Sequence, residues 1–452
     1  MNEKWHFIGI GGCGMSGLAK VMAEQGHTVS GSDLVASIKT EKLEQLGIKI
    51  YTGHDRNNLD PQTDQVVVST AIGKENPEWK RARELGIPVL HRSECLGRLT
   101  LEQKAISVAG AHGKTTTSSM LASILIDSGW EPTVVVGGYM EILQGNGTYG
   151  KGDYLVAEAD ESDGTLLNLH TSIPLITNIE DDHMEYFGTR EKIDRIFYDF
   201  VKRRTGDGFS IINTDCSSAR LLSSNIPGCV TYGFSEDAVI RGKNPRIVNQ
   251  LNTMDVYEDE NLLAAVSIYM PGYHNLQNAL GAFACARKLG VPVKSIVESL
   301  LNFRGVGRRF QLIGTSDGIT IVDDYAHHPT EIKALFAGAR QLNPERLVAV
   351  FQPHRYTRTR QFLDDFAETM KRADLALVTD VYSAGEDPIK GADSACLVAA
   401  ADDKKVRYTG SIEETVETLL PLLKEGDLVL TIGAGTITRA APLILEGLDA
   451  HE

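Results

Sequence analysis

The segment from Gly110 to Thr116 has the composition of a loop that binds the phosphates of a nucleotide. It reads Gly-Ala-His-Gly-Lys-Thr-Thr and stands between the apolar run 105–109 and a helical stretch at 118–127. Glycines let successive backbone N–H groups face a phosphate chain, a lysine reaches the terminal phosphates, and a hydroxyl binds Mg²⁺. The spacing is shorter than the common Gly-x-x-x-x-Gly-Lys-Ser/Thr pattern, whose first glycine would fall at Val108. We expect ATP or GTP here; a helix that simply begins with Gly-Lys-Thr is the alternative.

Carboxylates follow two further apolar runs and suit a magnesium ion beside this loop. The first run ends in Glu-Ala-Asp-Glu-Ser-Asp, and Glu158 is its first carboxylate. Mg²⁺ prefers oxygen ligands and keeps several waters, which makes Glu158 the best candidate ligand. A solvated acidic loop is the alternative, and it is our interpretation of Asp163. The next run, 173–179, is followed by Glu-Asp-Asp-His. For His183, a role as a helix cap or a core residue is as good an interpretation as catalysis or contact with a metal.

A second glycine-rich turn lies near the start of the chain. Gly9, Gly11 and Gly14 form a Gly-x-Gly-x-x-Gly fingerprint between a strand and a helix, and Asp33 ends the next strand. Such a turn brings backbone N–H groups and a helix N-terminus to a pyrophosphate, and the acid suits a ribose hydroxyl. We expect a nucleotide-type ligand. NAD is the usual ligand of this fingerprint, but any pyrophosphate would satisfy the same donors; a glycine-rich turn without a ligand is the alternative.

Polar residues also gather in the second half of the chain. Asn275 and Asn278 open a helix after Pro-Gly, where amides either cap the helix or hydrogen-bond a purine. Arg308 follows a glycine-rich hinge, where a guanidinium either reaches phosphates or is only a linker charge. Asp324 and Tyr325 stand between a strand and a helix, at the edge where α/β sheets bind ligands.

A basic segment follows the next strand in the same way. It contains His354, Arg355 and Arg358. Arg355 and Arg358 are three residues apart, so we expect them to share a helix face and to bind a carboxylate through paired hydrogen bonds. An exposed basic helix start is the alternative. The glycine-rich segment 433–435 follows the last strand and is expected to line the same cleft.

The elements that position these motifs are short apolar runs alternating with helix-period segments, which predicts an α/β fold with mainly parallel sheets. Glycine-rich breaks suggest domains at 1–100, 101–308 and 309–452, in keeping with 452 residues at roughly 150 per domain. The first is expected to be doubly wound, and the patch 233–259 to form short antiparallel strands and loops. Strands are predicted near 7–10, 29–31, 65–69, 87–90, 105–109, 154–157, 173–177, 319–322, 347–351, 375–378 and 428–432.

Composition excludes several classes of protein. Charged residues make up 23% and hydrophobic ones 42%, as in soluble globular proteins. A net charge of −15 disfavours a nucleic-acid partner. Six scattered cysteines indicate a reducing compartment, and we expect the cytoplasm. No basic and apolar leader precedes the first strand, and the uncharged stretch 261–286 contains proline and asparagine, so we expect no membrane insertion.

The order of these motifs resembles that of the Mur ligases, the ATP-dependent amide-forming enzymes of peptidoglycan synthesis. Eight motifs carry the resemblance along the chain: GIGGCGMSG, GAHGKTTT, AEADESD, NIEDDHMEYFG, GYHNLQNA, GVGRRF, VDDYAHHPTEI and FQPHRYTRT. The resemblance implies an N-terminal Rossmann-like domain for a uridine nucleotide, a central phosphate-loop ATPase and a C-terminal Rossmann-like domain for an amino acid. It also implies that L-alanine is joined to UDP-N-acetylmuramate through an acyl phosphate, with ATP and Mg²⁺ as cofactors.

The resemblance further assigns roles to residues of this sequence. Catalysis would involve Lys114, Glu158 and His183, and the magnesium site would consist of Thr115, Glu158 and His183. The residues implied to contact ATP are Gly110, Ala111, His112, Gly113, Lys114, Thr115, Thr116, Asn275, Asn278, Arg308 and Asp324. Those implied for the UDP-sugar are Gly9, Gly11, Gly12, Gly14, Met15, Asp33, Ser69 and Thr70. L-Alanine would be held by Tyr325, His354, Arg355 and Arg358.

Other functions stay open at this point. An NAD(P)-dependent oxidoreductase would use the first glycine turn and Asp33, but it leaves Lys114 and Glu158 without a role. A protein that binds ATP only to switch its conformation would bind or slowly hydrolyse ATP whether or not UDP-N-acetylmuramate and L-alanine are present. A Mur ligase that adds a different amino acid or a peptide is a further alternative.

Overall fold

The computed structural model of the protein describes residues 2–162, 164–181 and 184–449, with the backbone alone at 184 and 185. The chain divides into two compact units. One runs to Pro245 and adds Thr253–Ser267 and Gln277–Phe303, while the other consists of Arg246–Asn252, Ile268–Leu276 and the chain from Arg304 onward. His183, proposed above for catalysis and for the metal, lies outside the described residues, as does Asp163.

The first sheet is parallel and lies in the first unit. The spatial order of its five strands is third, second, first, fourth, fifth along the chain, so the order reverses between the first and fourth strands. Open α/β sheets bind ligands at such a switch point. The strands are β1 (Lys4–Ile8), β2 (Thr28–Asp33), β3 (Lys49–Thr52), β4 (Gln65–Val68) and β5 (Val89–His91), and the helices are α1 (Cys13–Glu24), α2 (Ile38–Gln45), α3 (Pro77–Leu85) and α4 (Arg92–Glu102).

The second sheet has ten strands. They are β6 (Lys104–Ala109), β7 (Thr133–Met140), β8 (Gly145–Thr148), β9 (Tyr154–Glu158), β10 (Thr171–Ile176), β11 (Ser210–Asn213), β12 (Cys229–Gly233), β13 (Ile240–Val248), β14 (Leu251–Glu258) and β15 (Asn261–Ile268). Their spatial order is β15-β14-β13-β12-β11-β10-β6-β9-β7-β8, and the run from β12 to β7 is parallel. The helices are α5 (Lys114–Asp127), α6 (Met184–Phe187), α7 (Arg190–Lys202), α8 (Ser217–Ser224), α9 (Tyr273–Leu289) and α10 (Val293–Asn302).

Strand β6 and helix α5 form the centre of this region. All of β6 beyond its first residue is buried, as is α5 from Thr115 to Leu125. Because a parallel strand is covered on both faces, the sequence of β6 does not alternate, and Ser107 is its one polar residue after Lys104. The segment that joins β6 to α5 is therefore anchored at both ends in the core.

The third sheet lies in the second unit. Its strands are β16 (Gln311–Ser316), β17 (Ile319–Asp324), β18 (Arg346–Phe351), β19 (Leu375–Thr379), β20 (Val406–Gly410) and β21 (Asp427–Ile432), in the order β16-β17-β21-β18-β19-β20. Strand β16 is antiparallel to β17 and the other pairs are parallel. The helices are α11 (Pro329–Arg340), α12 (Tyr356–Gln361), α13 (Leu363–Met370), α14 (Ser394–Ala401), α15 (Ile412–Leu419) and α16 (Ala440–Asp449).

The predicted α/β class with mainly parallel sheets is confirmed. Every predicted strand is present, and its bounds differ from the prediction by three residues at most. In the patch 233–259 the strands β13 and β14 are longer than expected, because positive φ angles at Asn249 and Gln250 form a tight turn between them. The uncharged stretch 261–286 forms β15 and α9, and no helix among the described residues is long and apolar enough to cross a bilayer.

Candidate active site

The loop between β6 and α5 has the backbone shape of an anion site. Gly110 has φ +142°, and a Cβ there would lie 2.8 Å from the backbone oxygen of Asn178, so only glycine fits. Gly113 is the N-cap of α5 with φ +83°, and it leaves the helix without a side-chain cap. The first N–H groups of α5 thus have neither an intrahelical acceptor nor a capping side chain, and together with the helix dipole they suit a phosphate.

Neighbouring side chains hold this loop in place. The amide of His112 donates to Oδ1 of Asn178 at 2.9 Å, and Nδ2 of Asn178 donates back to the carbonyl of His112 at 2.9 Å. Thr177 Oγ1 donates to the same carbonyl at 2.6 Å. Because both residues follow β10, the strand beside β6, the loop is preformed and does not need a ligand to order it.

The ammonium of Lys114 is turned back onto the loop and onto an acidic partner. It donates to the carbonyl of Gly110 at 2.5 Å and lies 2.7 Å from Oε1 of Glu161. Burial would lower the pKa of Lys114, but Glu161, Asp160 and Glu158 more than offset this and hold the pKa above its ordinary value. Lys114 is therefore charged, and a phosphate must compete with Glu161 for it.

Thr115 and Glu158 are brought together as a magnesium site would require. Thr115 Oγ1 donates to Oε2 of Glu158 at 3.1 Å, and the other carboxylate oxygen accepts from the amide of Gly137. No group of three or more His, Cys, Asp or Glu side chains among the described residues is arranged to hold a metal. One hydroxyl and one carboxylate nevertheless fit Mg²⁺, which fills its other positions with water and substrate phosphates.

An arginine that the sequence did not single out reaches this cluster. Arg92, the first residue of α4, donates to a carboxylate oxygen of Asp160. Burial would raise the pKa of Asp160, but Arg92 and then Lys114 hold it well below its usual range. The two residues are 68 apart in the chain, so no local sequence signal pointed to this pair.

The amides at the start of α9 are buried. Asn278 lies in the first unit, beside the phosphate loop: its Oδ1 accepts from Thr117 at 3.3 Å, and its side chain fills the space where Gly113 would carry a Cβ. Asn275 belongs to the second unit and donates to the carbonyl of Pro271 at 2.7 Å. Neither contact tests the predicted role at a purine.

The first glycine turn lies at the switch point of its sheet. It follows β1, and Ser69 and Thr70 follow the neighbouring strand β4. Oδ2 of Asp33 accepts from the amide of Gly11 at 2.8 Å, so this carboxylate holds the turn as well as facing any ligand. The side chain of Met15 is buried in the core, so only its backbone is placed to contact a ligand of the turn.

Residues beyond the fingerprint surround this turn. The thiol of Cys13 is exposed and lies 2.8 Å from the ammonium of Lys39. Asn146, from β8, donates to the carbonyl of Cys13, and its Oδ1 accepts from Ser16 at 3.2 Å. The turn is thus packed directly against the ten-stranded sheet, a contact that the sequence did not predict.

In the second unit, the guanidinium of Arg308 contacts residues on and next to the strands of the third sheet. Its Nε donates to Asp323 at 3.1 Å, its Nη2 donates to the carbonyl of Gly433 at 2.5 Å, and the guanidinium lies 5.0 Å from the centre of the Tyr325 ring. Asp324 accepts from two backbone amides, those of residues 310 and 326. Burial raises the pKa of Asp324 to about 6.

A histidine cluster lies beside the basic segment. His354 stacks on Tyr382 with ring centres 5.4 Å apart and lies 6.0 Å from His327. Burial lowers the pKa of His354 to about 3 and that of His327 to about 4, so both rings are neutral near pH 7. Nη1 of Arg358 lies 3.5 Å from Nδ1 of His354. His327 and Tyr382 were not among the predicted site residues.

Contrary to the prediction, Arg355 does not lie in the same helix as Arg358. It is the N-cap of α12, with φ +69°, and Arg358 lies within that helix. Its backbone N–H donates to the carbonyl of Tyr382 at 2.8 Å, which holds this uncommon conformation. Strained backbone of this kind concentrates at functional sites.

Three α/β regions, with a preformed phosphate loop on one sheet and a glycine turn at the switch point of another, define a nucleotide-binding protein. Models of three Mur ligase domains match the chain: the "Mur ligase family, catalytic domain" at residues 4–104, the "Mur ligase middle domain" at 108–286, and the "Mur ligase, glutamate ligase domain" at 308–435. The chain belongs to the Mur ligase family, whose members are ATP-dependent amide-forming ligases.

Similar proteins span the whole chain. The UDP-N-acetylmuramate–L-alanine ligase of Desulforamulus reducens is 44% identical over 99% of this chain and 98% of its own length. That of Pelotomaculum thermopropionicum is also 44% identical, with the same coverage of both chains. The crystal structure of UDP-N-acetylmuramate-alanine ligase from Thermotoga maritima superposes with a TM-score of 0.87 at 28% identity, covering 99% of this chain and all of that one. The three-domain α/β architecture is therefore shared along the full length.

Proposed function

We propose that this protein joins L-alanine to the lactyl carboxylate of UDP-N-acetylmuramate and converts ATP to ADP and phosphate. The observation that carries the proposal is the full-length similarity, at 44% identity, to two ligases of that name. As a Mur ligase, the enzyme belongs to peptidoglycan synthesis. The predicted domain limits, at 100 and 308, are part of this proposal.

The described residues support the phosphate-transfer half of the reaction. The first N–H groups of α5 and the ammonium of Lys114 would bind the phosphates of ATP, and Lys114 would exchange Glu161 for a phosphate oxygen. A lactyl carboxylate oxygen attacks the γ-phosphorus, ADP leaves, and an acyl phosphate forms. Phosphoryl transfer needs positioning and charge neutralisation more than covalent help, which is what this loop offers.

Thr115 and Glu158 are the described residues that would hold Mg²⁺, together with His183 from the resemblance. When bound, the ion would neutralise charge on the phosphate oxygens. The protein's own part is to keep Glu158 in place: its carboxylate accepts from Thr115 at 3.1 Å, from Ser118 at 3.5 Å and from the amide of Gly137.

The amide-forming half would use the second unit. The amine of L-alanine attacks the acyl carbon, and phosphate leaves from the tetrahedral intermediate. Arg355 and Arg358 would bind the carboxylate of the amino acid, because a guanidinium pairs with a carboxylate through two hydrogen bonds. The neutral rings of His354 and His327 add no positive charge that would repel the ammonium group of L-alanine as it enters the site.

The test is phosphate release with ATP, Mg²⁺, UDP-N-acetylmuramate and L-alanine, omitting each organic substrate in turn. We expect release only when both are present, with no change in nicotinamide absorbance. Release that is indifferent to the two substrates would instead indicate an ATP-driven switch. Replacing L-alanine by another amino acid or by a peptide tests the remaining alternative, a Mur ligase that adds one of these instead.

Replacing Lys114 by Ala probes the phosphate loop within the same assay. We expect turnover to fall by at least a hundredfold, because a buried ammonium that meets the transferring phosphate supplies several kcal/mol of transition-state stabilisation. Thermal unfolding should show that the fold is retained. The exposed Lys151 provides the control, since Lys151→Ala removes the same charge elsewhere on the same domain. Retained activity in K114A would take this lysine out of the mechanism.

A further inference from the structure

Arg92 stands between the first glycine turn and the phosphate loop. One of its terminal nitrogens donates to a carboxylate oxygen of Asp160. The other lies 3.3 Å from where Gly14 would carry a Cβ, so the guanidinium packs on the glycine turn itself. The side chain is 26% exposed and its partner Asp160 33% exposed, which keeps the pair partly shielded from water.

Asp160 is one of the carboxylates beside the phosphate loop that follow β9. It stands between Glu158, which accepts from Thr115, and Glu161, which pairs with Lys114 at 2.7 Å. The backbone of Ser162 donates to Oδ1 of Asp160 at 3.0 Å and holds the side chain in place. Arg92 is the only cation within ion-pair distance of Asp160 among the described residues.

We propose that Arg92 is a positioning residue for ATP: by neutralising Asp160, it keeps a third carboxylate from competing with the nucleotide phosphates for Lys114. The inference rests on the proposed function in one respect, that the ligand of the loop is ATP. Arg92 itself touches no phosphate in this account. It acts through Asp160 on the lysine that does.

The sign of the effect follows from the charges. Without Arg92, the charge of Asp160 faces Lys114 and the incoming phosphates alone, so it attracts the ammonium away from the nucleotide and repels the polyphosphate. The carboxylate stays where it is, because Ser162 still holds it. Interactions between close charges at a binding site alter affinity by about tenfold or more. Removing the charge of Asp160 as well should restore the affinity for the nucleotide.

The experiment compares the dissociation constant of a non-hydrolysable ATP analogue with Mg²⁺, by titration calorimetry, in the wild type, R92A, D160N and R92A/D160N. We expect R92A to weaken binding by about tenfold, which is ~1.4 kcal/mol. R92A/D160N should bind within about twofold of D160N. If Arg92 only held α4 in place, the second substitution would give no such rescue.

Two further variants complete the test. Arg92→Lys keeps a charge near Asp160, and we expect its affinity to stay within about threefold of the wild type. Arg98→Ala is the matched control, because Arg98 is an exposed arginine on the same helix that faces the ring of Trp5. We expect it to bind the analogue like the wild type.

An R92A protein that binds the analogue within twofold of the wild type would overturn the proposal, and so would a double variant no better than R92A. Thermal melting of each variant shows whether the fold is intact. The measured quantity is affinity for the analogue and not turnover, so the two proposals can fail separately. If the protein binds the analogue but does not consume UDP-N-acetylmuramate and L-alanine, the proposed function is wrong and the inference about Arg92 still stands.

Discussion

Gly137 offers a way to displace the proposed magnesium ligand without touching it. This glycine lies in β7, and its amide donates to a carboxylate oxygen of Glu158. A Cβ at position 137 would lie 2.8 Å from Oε2 and 3.1 Å from Oε1 of Glu158. Its φ is not in the left-handed region, so alanine is compatible with the backbone. The three atoms nearest to the added methyl group of Gly137→Ala all belong to the Glu158 carboxylate.

The structure sets the size of the displacement. Ordinary contact with a Cβ begins at 3.4 Å, so the nearer oxygen must retreat by about 0.6 Å. Magnesium tolerates deviations of about 0.2 Å from its ligand distances. Shifts in the groups around a metal typically cost about 10- to 100-fold in affinity. We expect the Mg²⁺ concentration for half-maximal ADP release to rise by that factor, with activity partly restored at high Mg²⁺.

A matched glycine on the neighbouring strand provides the control. In Gly145→Ala the new Cβ would come no closer than 3.7 Å to Lys20. Mg²⁺ titrations of the wild type, G137A and G145A, each with ATP and both substrates in excess, should separate G137A from the other two. Thermal melting should show that all three are folded, since alanine is compatible with the backbone at both positions. If G137A follows the wild-type Mg²⁺ curve, Glu158 does not hold the metal.

Two further predictions concern buried carboxylates. Glu78 is fully buried and accepts hydrogen bonds from His6 at 2.9 Å, Ser32 at 2.7 Å and Asn58 at 2.9 Å. Glu78→Gln should lower the free energy of unfolding, measured by urea titration, by about 2–4 kcal/mol. A loss below about 1 kcal/mol would contradict this account. The pKa of Asp324, raised by burial to about 6, means that the folded protein keeps this proton between about pH 4 and pH 6 while the unfolded chain releases it. The contribution of Asp324 to the unfolding free energy thus falls by about 2–3 kcal/mol as pH rises through that window. Asp324→Asn should therefore gain stability relative to the wild type from pH 4 to pH 6, and a pH-independent difference would count against the raised pKa.

The sequence predicted elements whose signal is local. The strand of residues 105–109 and the loop after it were found because an apolar run, a glycine turn and a helix start are adjacent in the chain. The pairing of Thr115 with Glu158 was also predictable, since parallel strands bring their carboxyl ends to one edge. His183 and the roles of Asn275 and Asn278 stay predictions.

Contacts between distant segments left no such signal. Arg92 and Asp160 are 68 residues apart, and nothing in either neighbourhood distinguishes Arg92 from the other arginines of the chain. The stack of His354 on Tyr382 depends on where two loops meet after separate strands. The helix face expected for Arg355 was wrong because its φ of +69° places it outside the helix, and side-chain spacing does not encode that angle.

The charges around Lys114 make Mg²⁺ decisive for the binding of a polyanion by a protein with a net charge of −15. Lys114 and Arg92 are each paired with a carboxylate, Glu161 and Asp160, while Glu158 is held by neutral donors. These five groups sum to one negative charge, so on their own they repel a polyphosphate. A divalent ion at Glu158 would turn that sum into one positive charge. The loop should therefore bind ATP far more weakly without Mg²⁺, because the backbone N–H groups of α5 would then have to overcome both the local carboxylates and the field of the whole protein.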